Sequence, residues 1–266
     1  MNGPRAPQGT PRGTSPGTPH GAPVGEAPLL EVNELGKRFG GFVALEGINL
    51  SVQPGERVGL IGPNGSGKST LVNCMCGTLR HELGTVRFNG RNLDGLKAHE
   101  RTRLGIARSF QLPRPFASLT VAENVRVPIL YVVQARIRHV AATDARCAEL
   151  LGLVGLADKS RKLPRDLTQI EMRKLELARA MAAEPKLLIA DEAMAGLSHG
   201  EVDDILALLL RMNEAGVTVI MIEHIMRAVL HFSQRLVVLV AGRKIADGNP
   251  QEVVRNPEVE RAYLGE

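Results

Sequence analysis

The segment Gly62-Pro63-Asn64-Gly65-Ser66-Gly67-Lys68-Ser69 constrains this chain more than any other stretch. It fits the pattern G-x-x-x-x-G-K-[ST] at every fixed position. A glycine-rich loop lets several backbone N–H groups converge on one anion. The helix that follows adds the partial positive charge of its N-terminus. Lys68 brings a full charge for β- and γ-phosphates, and the Ser69 hydroxyl suits Mg²⁺. The flanks agree with this reading. Residues 57–61, Arg-Val-Gly-Leu-Ile, read as a short buried strand, and the spacing predicts a helix from Ser69 to Leu79.

The rest of the chain supplies the sheet that such a unit needs. Residues 186–190 and 218–222 are apolar runs of strand length, separated by a helical pattern from Gly200 to Met212. Alternating buried strands and helices predict an α/β fold with a mainly parallel, helix-covered sheet. Residues 29–55 read as strands of an antiparallel β layer, and Thr85 to Asn92 as a hairpin around Asn89-Gly90. Between Gln111 and Lys186 the pattern turns helical, predicting an inserted α-helical subdomain over about 112–185. Residues 235–247 read as a β-rich stretch turning at Ala241-Gly242, with two short helices closing the chain. Residues 1–28 are mostly Pro, Gly, Thr and Ala, too poor in apolar side chains to offset the entropy of ordering them. They are expected to be a disordered tail, leaving 29–266 as the folded domain.

Composition excludes some partners. Trp is absent and aromatics make up 3% of the 266 residues, so the core is aliphatic and base-stacking platforms for nucleic acid are not expected. Cys74, Cys76 and Cys147 are an odd count without metal-ligand spacing, which suits small apolar fillers in a reducing compartment. No apolar run approaches the roughly 18 to 20 residues that span a bilayer, and no secretory signal opens the chain, so a cytoplasmic location is expected.

A second chemical motif lies at Leu187-Leu188-Ile189-Ala190-Asp191-Glu192, an apolar strand ending in two carboxylates. Ligands in open α/β sheets bind at the carboxyl ends of strands. Asp191 is placed to hold Mg²⁺ directly or through water, and Glu192 to orient and deprotonate an attacking water.

With these motifs in this order, residues 29–266 resemble the ATP-binding subunits of ATP-binding cassette (ABC) transporters, which are P-loop NTPases. The resemblance implies ATP and Mg²⁺ as ligands, with nucleotide contacts from Asn64, Gly65, Ser66, Gly67, Lys68, Ser69 and Thr70. It makes Phe39 the aromatic that stacks on adenine. Gln111, in Arg108-Ser109-Phe110-Gln111, matches the glutamine that touches the metal site and the transmembrane partner. Ser69 and Asp191 complete the implied metal set. His224, in Ile222-Glu223-His224, matches the histidine that contacts the γ-phosphate, and Ala195-Gly196-Leu197-Ser198 the loop that crosses to a second subunit. One motif departs. The family's Leu-Ser-Gly-Gly-Gln, which caps ATP on the opposite subunit, aligns with Leu167-Thr168-Gln169-Ile170-Glu171. Thr168 keeps a hydroxyl, and Thr168 with Glu171 keeps capping-box spacing. Ile170 is expected to resist φ > 0 and crowd a phosphate. Glu171 is expected to add a negative charge beside another anion. A weak signature predicts slow hydrolysis as a homodimer and favours a heterodimer with a second ABC ATPase carrying an intact loop.

The finer resemblance is to the ATPase subunits of branched-chain amino acid importers. It is carried by Lys37-Arg38-Phe39-Gly40-Gly41 with Ala44-Leu45, by residues 191–197 and 222–226, and by the tail Arg261-Ala262-Tyr263-Leu264-Gly265-Glu266. This implies transmembrane permease subunits as partners, an extracytoplasmic solute-binding protein indirectly, and a peripheral position on the cytoplasmic face of the membrane. Importers of urea, amides or other small organic solutes share the pattern. A soluble, non-transport ABC ATPase is the remaining alternative, separated by whether the chain co-purifies with membranes.

Overall fold

Glycine 40 and glycine 41 turn the first two strands back on each other. Strand β1 (Leu30–Phe39) pairs antiparallel with β2 (Phe42–Val52), with Phe39 opposite Phe42 across the turn. The chain then enters β3 (Arg57–Ile61), α1 (Lys68–Cys76), β4 (Leu83–Phe88), β5 (Arg91–Asn92), α2 (Ala98–Leu104) and β6 (Ile106–Ser109). Helices α3 (Val121–Pro128), α4 (Val140–Leu153) and α5 (Gln169–Met181) follow. Then come β7 (Leu187–Asp191), α6 (His199–Glu214), β8 (Thr218–Ile222), α7 (Met226–Phe232), β9 (Arg235–Val240), β10 (Arg243–Gly248), α8 (Pro250–Val253) and α9 (Pro257–Leu264). This is a computed structural model, and it describes Gly3 and residues 27–110, 113–133 and 140–264. Apart from residues 3, 27 and 28, the expected tail lies outside the described residues, as does Gln111.

Two sheets result. The antiparallel one has the order β2-β1-β4-β5, and the larger one β10-β9-β3-β8-β7-β6. In the larger sheet, β9, β3, β8, β7 and β6 run parallel and only β10 is antiparallel, on its edge. Every residue of β7 and β8 is buried, as expected for parallel strands covered on both faces. The antiparallel layer packs Leu30, Val32, Ile48 and Leu50 with Leu71 and Met75 of α1 in one aliphatic cluster. On the other face, α3 to α6 bury Val125, Leu150, Leu175 and Leu209 in the same cluster as Leu188 and Val219 of the sheet. The inserted helices thus share their core with the face of the sheet that they cover.

Helix α1 ends at Cys76, three residues before the predicted Leu79. Gly77 adopts φ 75° and its N–H reaches the carbonyls of Asn73 and Cys74, a glycine stop that the apolar pattern through Leu79 conceals. Cys74, Cys76 and Cys147 are buried free thiols. Burial pushes Cys74 and Cys76 up to about 11, consistent with their role as inert fillers.

The register decides where the chemistry collects. Leu60 of β3 is level with Ile222 of β8, Ile222 with Asp191 of β7, and Ala190 with Ser109 of β6. The residues just beyond four neighbouring strands therefore emerge along one carboxyl edge.

Candidate functional site at the carboxyl edge of the parallel sheet

Strand β3 runs into the glycine loop, and two of the loop's glycines have a steric reason. Gly62 has φ 154°, and a Cβ there would lie 2.1 Å from the Leu239 carbonyl oxygen. Gly67 has φ 102°, and its Cβ would lie 2.8 Å from the Ala44 oxygen and 2.9 Å from Leu45 Cδ2. Gly67 is also the N-cap of α1. No side chain caps this helix and its first turn carries no acid, so its leading N–H groups face the loop without a side-chain acceptor. Lys68 Nζ donates to the carbonyls of Gly62 (2.7 Å) and Pro63 (3.0 Å) and to Ser66 Oγ (3.4 Å). Burial pushes the Lys68 ammonium below the usual lysine range, opposed by the carboxylates of Glu192 and Asp191. A partly desolvated cation beside uncapped helix N–H groups is a site built for an anion.

A cavity of about 280 Å³ opens on this loop, lined by residues 64–70 together with Phe39, Phe42, Ala44 and Glu192. Phe39 is 49% exposed and Phe42 64%, side by side at the hairpin tip. Lys37 Nζ lies 5.0 Å above the Phe39 ring, and Lys37 itself ion-pairs with Glu82. A solvent-facing aromatic braced on one face by a buried cation offers its other face to a planar ring. Phe42 was missed in the sequence reading, although its position across a two-glycine hairpin from Phe39 is a usable signal.

Two strands away, β7 delivers Asp191 and Glu192. Asp191 is buried, and its Oδ2 accepts from Arg108 Nη2 at 2.5 Å. Arg108 Nη1 donates to Asn73 Oδ1 at 2.6 Å, and the guanidinium stacks 5.2 Å from the Phe110 ring. This tie between β6, α1 and β7 also escaped the sequence reading; a lone arginine in a short apolar strand was its only sign. Glu192 adopts φ 47°, an unusual conformation for a non-glycine residue, while its N–H donates to the Ile222 carbonyl at 2.9 Å. Strained backbone of this kind is held in place only by surrounding contacts and gathers at working sites. His224 is exposed in the turn after β8, between the ends of β3 and β7.

The hard oxygen donors here, the Ser69 hydroxyl and the Asp191 carboxylate, fit Mg²⁺. Among the described residues, no group of three or more His, Cys, Asp or Glu side chains could cage an ion. A divalent cation here would lean on the oxygens of its nucleotide, which is the habit of Mg²⁺.

The departing loop is corrected in two respects. Ile170 does not occupy positive φ; it lies in the first turn of α5, partly buried against the core that the helices share with the sheet. Glu171 is not a bare charge. It ion-pairs with Lys159, its Oε2 accepts from Thr168 N–H at 2.9 Å, and its own N–H donates to Thr168 Oγ1 at 3.4 Å. The expected capping box is present. Thr168, Gln169, Ile170 and Glu171 do not line the cavity at the glycine loop.

Known proteins offer a comparison for this arrangement. The model of the ABC transporter family matches residues 45–195, and that of the branched-chain amino acid ATP-binding cassette transporters matches residues 243–266. The chain is 38% identical over 251 residues to the high-affinity branched-chain amino acid transport ATP-binding protein BraF of Pseudomonas aeruginosa, covering 90% of this chain and 98% of the relative. It is 37% identical over 252 residues to LivG of Escherichia coli, a protein of the same description, with the same coverage. The ADP conformation of an ATP-binding cassette of an ABC transporter superposes with TM-score 0.80 and 29% identity, covering 91% of this chain and 100% of that one.

Proposed function

This chain belongs to the ABC transporter family of ATP-binding cassettes, and we propose that it is the ATP-hydrolysing subunit of an importer for branched-chain amino acids. The observation that carries this reading is the register. It lines up the glycine loop after β3, His224 after β8 and the Asp191-Glu192 pair at the end of β7 along one sheet edge. Relatives that match nearly end to end act in branched-chain amino acid transport by their descriptions, and this chain's last residues match that subgroup's model.

In this reading the adenine stacks on Phe39, and the loop N–H groups with Lys68 hold the phosphates. Ser69 and Asp191 would hold Mg²⁺, which supplies charge neutralisation on the transferring phosphoryl group. Glu192 accepts a proton from the attacking water, and His224 contacts the γ-phosphate end. Gln111, two positions after the last residue of β6 in the sequence, is assigned the metal and partner contact by the family resemblance alone. ATP binding joins two cassettes, each offering its Thr168 loop to the other's nucleotide; that these residues stay clear of their own cavity supports such an exchange. Pairing with a different ATPase is favoured because Ile170 and Glu171 stand where the family carries glycine and glutamine.

The larger assembly includes transmembrane permease subunits and, through them, an extracytoplasmic binding protein. Among the described residues no helix is long and apolar enough to cross a membrane. A peripheral position on the cytoplasmic face is supported by the relatives' descriptions as transport ATP-binding proteins. The test captures the complex from membranes through a tag on this chain and measures Mg-ATPase and leucine uptake after reconstitution. Glu192→Gln should keep ATP binding and lose about 10²–10⁴-fold in turnover, the usual worth of a general base. Turnover that survives this substitution, or a chain recovered wholly without membrane subunits, refutes the proposal.

A further inference from the structure

Arg173 and Glu223 are buried, oppositely charged and absent from the nucleotide cavity, yet both grip the loop that carries Glu192. Arg173 lies on α5, four residues after Gln169, so the two side chains leave the same helix face. Arg173 is 6% exposed. Its Nη1 donates to the Phe110 carbonyl at 3.3 Å and its Nη2 to the Ala195 carbonyl at 3.2 Å. Gln169 Nε2 donates to the same Ala195 oxygen at 3.4 Å. The fit is close: a Cβ on Gly196 would stand 2.7 Å from Gln169 Nε2. Glu223 is 3% exposed at the end of β8. Its Oε1 accepts from Met194 N–H at 2.8 Å, and its Oε2 has no hydrogen-bond partner.

We propose that Arg173 and Glu223 are a positioning pair that holds the Glu192–Ser198 loop, and the turn before Gln111, in register with the start of α5. The role rests on the ATPase reading above. Met194 N–H and Ala195 C=O belong to the peptide units on either side of the Met194–Ala195 peptide, and the pair holds both. Ala195 N–H in turn donates to the Glu192 carbonyl at 3.3 Å, so a shift at Ala195 reaches the backbone of the base itself. Phe110, the other carbonyl held, directly precedes Gln111. A guanidinium suits this task because its planar fork reaches two carbonyls at once, whereas an ammonium is a point donor. Burial lowers the Arg173 guanidinium's preference for charge, and the carboxylates of Glu223, Glu176 and Glu192 offset that cost. Small displacements of a general base are expensive, about 10²-fold for 1 Å. The pair therefore acts on turnover and leaves nucleotide affinity alone.

The experiment measures kcat, KM and ATP Kd for the complex captured through this chain. Arg173→Met and Glu223→Leu should each lower kcat at least tenfold while KM and Kd stay within twofold. Glu223→Gln keeps an acceptor for Met194 N–H and should recover most of what Glu223→Leu loses. The double variant should be within twofold of the worse single one, because both residues hold one loop. Should Arg173→Met fail to fold, Arg173→Lys decides: a three- to tenfold fall in kcat at unchanged KM supports the pair, and parental kcat overturns it. A change confined to KM or Kd also overturns it. A parent complex without turnover overturns the ATPase reading and this role together, whereas an active parent matched by its variants overturns this role alone.

Discussion

Replacing Arg108 with Met tests the tie between β6, α1 and β7. The Arg108 and Asp191 side chains are 14% and 8% exposed, and their contact is 2.5 Å. Removing one partner of a buried ion pair costs about 3–5 kcal/mol, because the other charge is left without compensation. Asn73 Oδ1 loses its 2.6 Å donor as well. Taking the lower figure, about 3 kcal/mol, and about 2–4 °C per kcal/mol for a domain near this size, Tm should fall by about 6–12 °C. Two controls sharpen the result. Mg-ATP should narrow the gap between variant and parent, since a cation at Asp191 takes over the lost compensation. Arg108→Met combined with Asp191→Asn should regain at least half of the loss, since neither charge is then buried alone. Differential scanning calorimetry with and without Mg-ATP is the assay. A single variant melting within about 2 °C of the parent, well under the figure expected for a buried pair, would refute the reasoning.

Gly67→Ala should abolish ATP binding in equilibrium titration and lower stability by about 2–4 kcal/mol, since it adds a Cβ at positive φ against the Ala44 oxygen. Burial pushes the Glu176 carboxyl above its ordinary range, with Arg179 opposing. The folded state therefore holds that proton more tightly than the unfolded chain. The parent should gain stability on Glu176→Gln as pH falls through the folded value, and keep that gain below the unfolded value; urea unfolding across pH 4–8 should show this slope, and a flat difference would contradict it. Ile170→Gly with Glu171→Gln should raise turnover of the chain paired with itself but weaken the start of α5, where Glu171 serves the cap and Lys159. Unchanged ATPase rates under dimerising conditions would remove the signature loop as the reason for a mixed pair.

Motifs with local physical causes were legible in the chain. The glycine loop, the short buried strand before it, the two carboxylates ending β7 and the capping box at Thr168 each depend on neighbours within a few residues. The same locality explains the errors. The end of α1 was overrun because an apolar pattern continues past Gly77. Ile170 was assigned the backbone of the glycine that it replaces, when a helical turn accommodates it without strain. Glu171 was judged alone because Lys159, twelve residues earlier, carries no mark of pointing at it.

By itself the sequence determined a phosphate-binding α/β chain and the residue types at its chemical positions, because loop conformation, helix starts and strand burial follow from short-range sterics and periodicity. Which side chains meet was decided only by the tertiary structure. Arg108 reaches Asp191 across 83 positions, Glu223 reaches Met194 across 29, and Arg173 reaches Phe110 across 63. Those meetings require the strand order β3-β8-β7-β6 and its register, which arise from packing between segments far apart in the chain. No periodicity within one segment encodes the neighbour it will acquire.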